Sequence, residues 1–164
     1  MSRLLLSLAA LAGVFGSRVV AEEPFTIDLT VSVGKASKAV HAESAAPLAK
    51  PKERETLDAK AGARITVKWK LVNVDPKATI KDVTVHFYAA QAENAGQAAI
   101  KNLGKAVVAE SALNMDFAPK ETNEGELNFS IDKPGLYLLR LETIGAVAGP
   151  GGHEEFAALD VRVK

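Results

Sequence analysis

Histidines are the residues of this chain best suited to chemistry near neutral pH, because the sequence contains no cysteine. There are three: His41, His86 and His153. Only His153 has acidic neighbours in a cluster, since Glu154 and Glu155 follow it directly. Imidazole and carboxylate groups together can ligate a divalent ion, and imidazole suits copper, nickel or zinc. The cluster is therefore a candidate for metal binding.

The geometry of an extended chain limits this cluster. Consecutive side chains point to opposite sides, so His153 and Glu155 share a face whereas Glu154 does not. Two ligands do not make a tight site, and a third would have to come from another strand, with His86 as the candidate. The alternative is a solvated polar loop end, for which alanine at positions 153 and 155 leaves folding untouched. No other cofactor is predicted.

Other catalytic arrangements are not indicated by the residue pattern. The chain has no Gly-x-Ser-x-Gly sequence for a nucleophilic serine and no glycine-rich phosphate loop that opens a helix. Carboxylate pairs for glycoside hydrolysis need convergence across strands. The acidic residues that fall at outward strand or loop positions are Glu110, Glu124, Glu126, Glu142 and Glu154. The sequence therefore predicts a protein that is not an enzyme.

The N-terminus reads as a secretory signal peptide over residues 1–21. Arg3 supplies a positive start, Leu4–Gly16 is uncharged and apolar, and Val19–Ala21 offers small or short-branched residues for cleavage. The apolar run is shorter than the ~20 residues that a spanning helix needs, and an uncleaved anchor is the alternative. We therefore expect an extracytoplasmic protein, periplasmic or secreted, with residues 22–164 as one domain and no membrane span after cleavage.

Charge composition bears on the partner. The chain has 20 basic and 20 acidic residues, without a basic stripe. Because phosphate binding depends on clustered lysine and arginine, nucleic acid is excluded as a partner. A protein or another component of the cell envelope is the expected partner. With no disulfide available, the fold must be held by burial.

Alternating apolar and polar residues predict about seven strands. The predicted strands cover Phe25–Val33, Ala63–Val74, Ile80–Tyr88, Ala106–Phe117, Glu126–Ile131, Leu136–Thr143 and Phe156–Val163. Residues 34–60 are rich in alanine, lysine, glutamate and proline, which predicts a long polar connection with short pairing near Thr56–Asp58. A helix is the alternative there. Residues 89–103 are predicted to be a loop or to include a short helix over Gln97–Leu103.

The turn between the two predicted strands at 126–143 carries a family resemblance. Asp132, Pro134, Gly135 and Tyr137 resemble the Asp-x-Pro-Gly-x-Tyr turn of immunoglobulin-like and fibronectin type III-like domains. The resemblance implies a tyrosine corner, in which the tyrosine hydroxyl bonds back to the turn, and a core position for Trp69. It points to the cysteine-free sandwiches of bacterial exported proteins. The predicted fold is all-β, an immunoglobulin-like antiparallel β-sandwich of about seven strands.

Two functions are compatible with this fold. The first is a non-enzymatic binding or structural role at the cell envelope or outside the cell, with contacts on end loops or on an exposed sheet edge. The alternative is an extracytoplasmic divalent-metal-binding protein that uses His153 and Glu155. Sandwich folds host many unrelated roles, so the fold does not choose between them.

Overall fold

Two β-sheets face each other in the computed structural model, which describes residues 24–44, 54–145 and 155–164. The elements in chain order are β1 (Phe25–Val33), β2 (Ala36–His41), β3 (Glu43–Ser44), β4 (Thr56–Ala59), β5 (Arg64–Asn73), β6 (Ile80–Gln91), α1 (Leu103–Ala106), β7 (Val107–Phe117), β8 (Thr122–Ser130), β9 (Gly135–Ile144) and β10 (Glu155–Val163). All seven predicted strands are present, and the immunoglobulin-like sandwich is confirmed.

The strand order defines two sheets of different size. The smaller has the order β2-β1-β5-β8, and the larger has the order β3-β10-β9-β6-β7 with β4 added alongside β10. Among the described strands, only β4 and β10 pair in parallel. The alternating apolar residues of both sheets meet between them, where Ile27, Leu29 and Leu139 are fully buried. We call the face of each sheet that points toward this core its inner face, and the opposite face its outer face.

The turn at residues 131–134 carries the chain from one sheet to the other. The strands on either side of it, β8 and β9, do not pair with each other, because β8 pairs with β5 and β9 pairs with β6 and β10. The Tyr137 hydroxyl donates a hydrogen bond to the Lys133 carbonyl at 2.8 Å. The predicted tyrosine corner is therefore confirmed, and it fixes the crossing between the sheets.

Residues 34–60 differ from the predicted connection. The chain turns at Gly34, whose φ of 58° suits glycine, and returns as β2 along the edge of β1. The short pairing predicted near Thr56–Asp58 is confirmed as β4, and no helix occurs in the described part of this segment. Strand β2 forms despite few large apolar residues because β1 supplies its backbone partners. Residues 45–53 of the predicted connection lie outside the described residues.

Residues 92–106 form a cover over the outer face of the larger sheet. Strand β6 continues to Gln91, beyond its predicted end, and the only helical turn of the described segment is α1, later than predicted. Ile100 and Leu103 pack against Tyr88, Leu138 and Phe156 in a second apolar cluster. Strands β9 and β10 are consequently buried on both faces.

Candidate functional site

The structure separates two of the predicted metal ligands. His86 lies opposite Glu142, which lies opposite Phe156, so these three side chains share the outer face of the larger sheet. Glu155 lies opposite Thr143 and therefore belongs to the inner face. His86 and Glu155 thus point to opposite sides of one sheet and cannot bind the same ion. The third predicted ligand, His153, lies outside the described residues.

Glu155 is buried, and its carboxylate makes a hydrogen bond between the two sheets. Its side chain is only 1% exposed, and Oε2 accepts a hydrogen bond from the Phe25 backbone N–H at 3.1 Å. Because Phe25 begins the first strand of the smaller sheet, this bond joins the two sheets. From this contact we expect alanine at position 155 to lower stability, in contrast to the sequence-based expectation that it leaves folding untouched. A buried carboxylate that serves a backbone donor cannot be removed without leaving that donor unsatisfied.

His86 lies between two carboxylates on the outer face. Its Nδ1 is 2.8 Å from Glu142 Oε1, and its Nε2 is 2.9 Å from Glu110 Oε1. Three neighbouring strands position these groups, since Glu110 is on β7, His86 on β6 and Glu142 on β9. Glu142 is mostly buried, whereas the Glu110 side chain is about half exposed at the sheet margin. The imidazole thereby ties the margin strand β7 to the interior of the sheet.

The charge state of His86 follows from its partners. Burial disfavours the imidazolium, but the hydrogen bonds and charges of Glu142 and Glu110 outweigh burial and raise the pKa of His86 above its ordinary value. A protonated ring donates from both nitrogens, so it satisfies both carboxylates at once.

Glu110, His86 and Glu142 form a row of charged side chains across the outer face, and Arg140 extends this charged row toward β10. Its Nε lies 2.5 Å from Glu142 Oε2, and its guanidinium stacks over the Phe156 ring at 4.0 Å. Arg140 also donates to the Ala98 carbonyl, and the Gly96 N–H donates to Asp160 Oδ2 at 2.7 Å. These bonds attach the covering segment 92–106 to the sheet. Arg140 and Asp160 therefore help to hold the cover in place.

Residues 91–106 also line a cleft of about 690 Å³ with mostly polar side chains, among them Gln91, Asn94 and Lys101. Gln97, in the same wall, is engaged within the segment, because its Oε1 accepts from the N–H groups of Glu93 and Asn94. Within residues 24–44, 54–145 and 155–164, no group of three or more His, Asp or Glu side chains could hold a metal ion. The described part of the larger sheet thus offers no assembled metal centre.

A different surface lies where the sandwich ends at β7 and β8. These strands are the outermost members of their sheets on one side, and the turn at residues 118–121 joins them. Phe117 at the end of β7 is buried, but the other inward residues of the two strands are not, although they lie opposite core residues: Leu113 is opposite Val85, and Leu127 is opposite Val67. Leu113 is 50% exposed. We call this surface the open side; its inward residues are Trp69, Leu113, Met115, Leu127 and Phe129.

Two contacts show how the open side is built. The ring centroids of Phe129 and Phe87 are 5.9 Å apart, which places β8 across the sandwich from β6. Strand β7 therefore lies one strand beyond β6 at the margin of the larger sheet. On β5, Trp69 lies opposite Gly125 of β8, and the absent side chain there allows the indole to reach toward the margin. The indole packs against the core but is only half-buried, so the predicted core position of Trp69 is met in part.

Sequence reasoning missed the buried charged row, because strict alternation assigned Arg140 and Glu142 to an exposed face. A signal was present. Leu136–Leu139 and Phe156–Leu159 are continuous apolar runs, and such runs are typical of strands buried on both faces. Positions 140 and 142 continue the outward series that begins with Leu136 and Leu138, so their burial follows from that signal.

No protein-family model matches the chain, and no curated protein matches it by sequence. Solved structures match over most of its length. The C-terminal domain of Wzt is 8% identical, with a TM-score of 0.46 over 83% of this chain and 70% of that domain. The PmoD soluble domain from Methylocystis sp. is 11% identical, with a TM-score of 0.44 over 84% of this chain and 90% of that one. The CARDB domain of PF1109 from Pyrococcus furiosus is 15% identical, with a TM-score of 0.40 over 84% and 94%.

These likenesses are too distant to carry a functional argument, and the function must be argued from the chain itself. Among the described residues, no helix has the length and apolar character needed to cross a bilayer.

Proposed function

We propose that this chain is an exported, non-enzymatic β-sandwich domain that binds a protein partner at the cell envelope or outside the cell. The single observation that carries the proposal is the open side, where the core of the sandwich reaches the surface between two margin strands. Exposed apolar residues next to unpaired strand edges are typical of strand-mediated recognition. Export rests on the predicted signal peptide at residues 1–21, which lies outside the described residues.

Strand β7 differs from the margin strands β2 and β8 in its length and in its exposed large apolar side chains. Natural edge strands are usually short or carry lysine and proline that discourage pairing. Strand β7 has eleven residues, no lysine, arginine or proline, and two exposed apolar side chains, Val108 and Leu113. By contrast β2 has six residues and includes Lys38, and β8 has no exposed large apolar residue. This difference favours β7 as the contact strand.

The use of the charged residues supports a binding role over catalysis. His86 and Glu142, on the outer face, bond to each other, and on the inner face Glu155 bonds to the backbone of Phe25. Within the described residues, the groups best suited to acid–base chemistry are thus engaged in holding strands together. The divalent-metal alternative loses one of its ligand pairs, because His86 and Glu155 lie on opposite faces.

A photocrosslinking experiment tests the binding role. A photoreactive amino acid replaces Leu113 on β7, and in a matched control it replaces the exposed Ala39 on β2. Both full-length proteins are expressed in the source organism and irradiated. We expect a covalent adduct with one defined protein from position 113 and none from position 39. Adducts absent at 113, or equal at both positions, would overturn the proposal.

Export is tested separately by sequencing the N-terminus of the mature protein after cell fractionation. We expect the chain to begin at Glu22 and to be found outside the cytoplasm. An unprocessed chain that stays in the cytoplasm would contradict the export part of the proposal while leaving the open side as a binding surface.

A further inference from the structure

We propose that β7 accepts an extended segment of a partner protein as an additional strand, and that this segment alternates apolar with basic side chains. The inference rests on the proposed function and adds the class of partner and the mode of contact. Three properties of the open side lead to it: the free backbone edge of β7, the apolar residues behind it, and the charge of its outer face.

Within the residues that the structure describes, one backbone edge of β7 is available for pairing. Strand β7 pairs with β6 along its other edge, and it ends the strand order of the larger sheet. In an antiparallel ladder, every second residue directs its N–H and C=O away from its existing partner. An incoming strand would therefore find several donors and acceptors along Val107–Phe117. This is the arrangement used when a peptide adds a strand to a sheet.

The inner face requires apolar side chains from the partner. A strand added beside β7 would extend the larger sheet past its present margin, over the open side. Its inward residues would lie next to Leu113 and Met115 and across from Leu127 and Phe129. Because successive side chains of a strand alternate, every second partner residue would enter this apolar surface. Covering Leu113, now half exposed, would remove apolar area from water and favour binding.

The outer face of β7 favours basic side chains from the partner. Glu110 and Asp116 both lie on it, and β7 has no basic residue. Glu110 is half exposed and already paired with His86, whereas Asp116 accepts a hydrogen bond from the Asp82 N–H. The turn that joins β7 to β8 adds one charge of each sign, Lys120 and Glu121, and the acids of β8 are matched by lysines of β5. Asp116, with the half-exposed Glu110 carboxylate beside it, provides the acidic groups that a new neighbouring strand would meet. Lysine or arginine at the alternate, outward positions of the partner complements them.

The same charges argue against a second copy of this chain as the occupant. Pairing β7 with the β7 of a second copy would place two copies of Glu110 and Asp116 on one face of the paired strands. Like charges on adjacent strands are destabilising, and charged margin residues are a common device against self-pairing. The partner therefore has a different sequence, with basic side chains where β7 is acidic.

Synthetic peptides test the partner class directly. The first probe has about nine residues, a normal strand length, and alternates valine with lysine. The second alternates valine with glutamate. The third repeats the valine–lysine sequence but is N-methylated at alternate residues, so that one edge cannot donate hydrogen bonds. Binding to the mature chain is followed by the fluorescence of Trp69, the only tryptophan, and by backbone amide shifts of β7 in NMR spectra.

We expect saturable binding of the valine–lysine peptide with amide shifts concentrated in β7, and no saturable binding of the other two peptides. D116N should weaken binding about two- to fivefold, as expected for losing one partly exposed charge pair. L113D should abolish it, whereas A39K on β2 should change nothing. Unchanged melting temperatures would show that the variants are folded. Equal binding of the lysine and glutamate peptides, or of the N-methylated peptide, would overturn the inference.

The outcomes separate this inference from the proposed function. A specific adduct at position 113 together with no binding of the valine–lysine peptide would reject the partner class but keep the binding role. A failed crosslink would reject both. A concentration-dependent dimer that L113D abolishes in analytical ultracentrifugation would overturn the inference in favour of a second copy.

Discussion

The indole of Trp69 lies directly over Gly125 of the adjacent strand, so closely that a Cβ at position 125 would fall 1.9 Å from Trp69 Cζ2. No real Cβ is found at such a distance from another heavy atom. The glycine is therefore required by the approach of the ring, and the indole in turn covers backbone that glycine leaves bare. The pair sets the position of the only aromatic side chain of β5 at the open side.

Gly125→Ala should destabilise the protein by about 2 kcal/mol or more, because either the indole or strand β8 must move. Chemical denaturation measures the loss, and a red shift of tryptophan emission would report that the ring has been displaced into water. Gly104→Ala in α1 is the matched control, since an added Cβ there meets no atom within 4 Å. A stable Gly125→Ala protein with unchanged emission would contradict the contact.

Tyr137→Phe should lower the free energy of unfolding by about 1 kcal/mol, the usual value of one hydrogen bond. The ring would stay buried, so the change isolates the bond from the hydroxyl to the Lys133 carbonyl. Urea denaturation provides the measurement. Tyr137→Leu should cost more because it also removes packing. Wild-type stability in the phenylalanine variant would show that the tyrosine corner does not stabilise this fold.

His86→Gln should remove a pH-dependent part of the stability. The pKa of His86 in the folded state is raised above its ordinary value of 6.5. Its contribution is therefore fully present below about pH 6.5 and is lost as pH rises through the raised pKa. The difference in unfolding free energy between wild type and variant should be larger at pH 6 than at pH 9. A difference that is independent of pH would contradict the paired imidazolium.

The control for this titration is His41→Gln. His41 also faces a carboxylate, Asp28, but its side chain is 82% exposed and solvent screens the pair. We expect little change in stability at either pH from this substitution. A large effect would mean that exposed and buried histidine pairs contribute alike in this protein.

Glu155→Ala should destabilise the protein by about 1–3 kcal/mol, whether or not a metal is added, because the Phe25 N–H loses its acceptor in a buried site. Thermal unfolding with and without copper, nickel or zinc measures this. Glu93→Ala, at an exposed position of the covering segment, serves as the control and should be near neutral. A metal-induced rise in melting temperature that Glu155→Ala abolishes without an intrinsic loss of stability would revive the metal-binding alternative.

The sandwich could be predicted from the sequence because its core uses strict alternation. Ile27, Leu29 and Val31 repeat at the strand period, and the Asp-Lys-Pro-Gly turn before Tyr137 specifies one local geometry. The strands with which β8 and β9 each pair could not be predicted in the same way. A short turn between two strands is compatible both with a hairpin and with a crossing to the opposite sheet, and only long-range packing decides.

The surroundings of the candidate residues could not be predicted from local sequence patterns, for a similar reason. His86 bonds to two carboxylates that are distant in the chain: Glu110 is 24 positions away and Glu142 is 56 positions away. Their contact depends on strand register, which sequence periodicity does not specify between strands that are not neighbours in the chain. The open side likewise depends on which strands end the two sheets.

The place of β10 within the larger sheet has a consequence for how the protein is made. Strand β10 contacts β9 on one edge and both β3 and β4 on the other, although β3 and β4 are synthesised more than a hundred residues earlier. During translation these early strands must wait, unpaired on that side, until β10 emerges. Contacts over such sequence separation form slowly, because the loop entropy is lost before the contact is gained. The larger sheet of the nascent chain therefore remains incomplete until β10 has been synthesised.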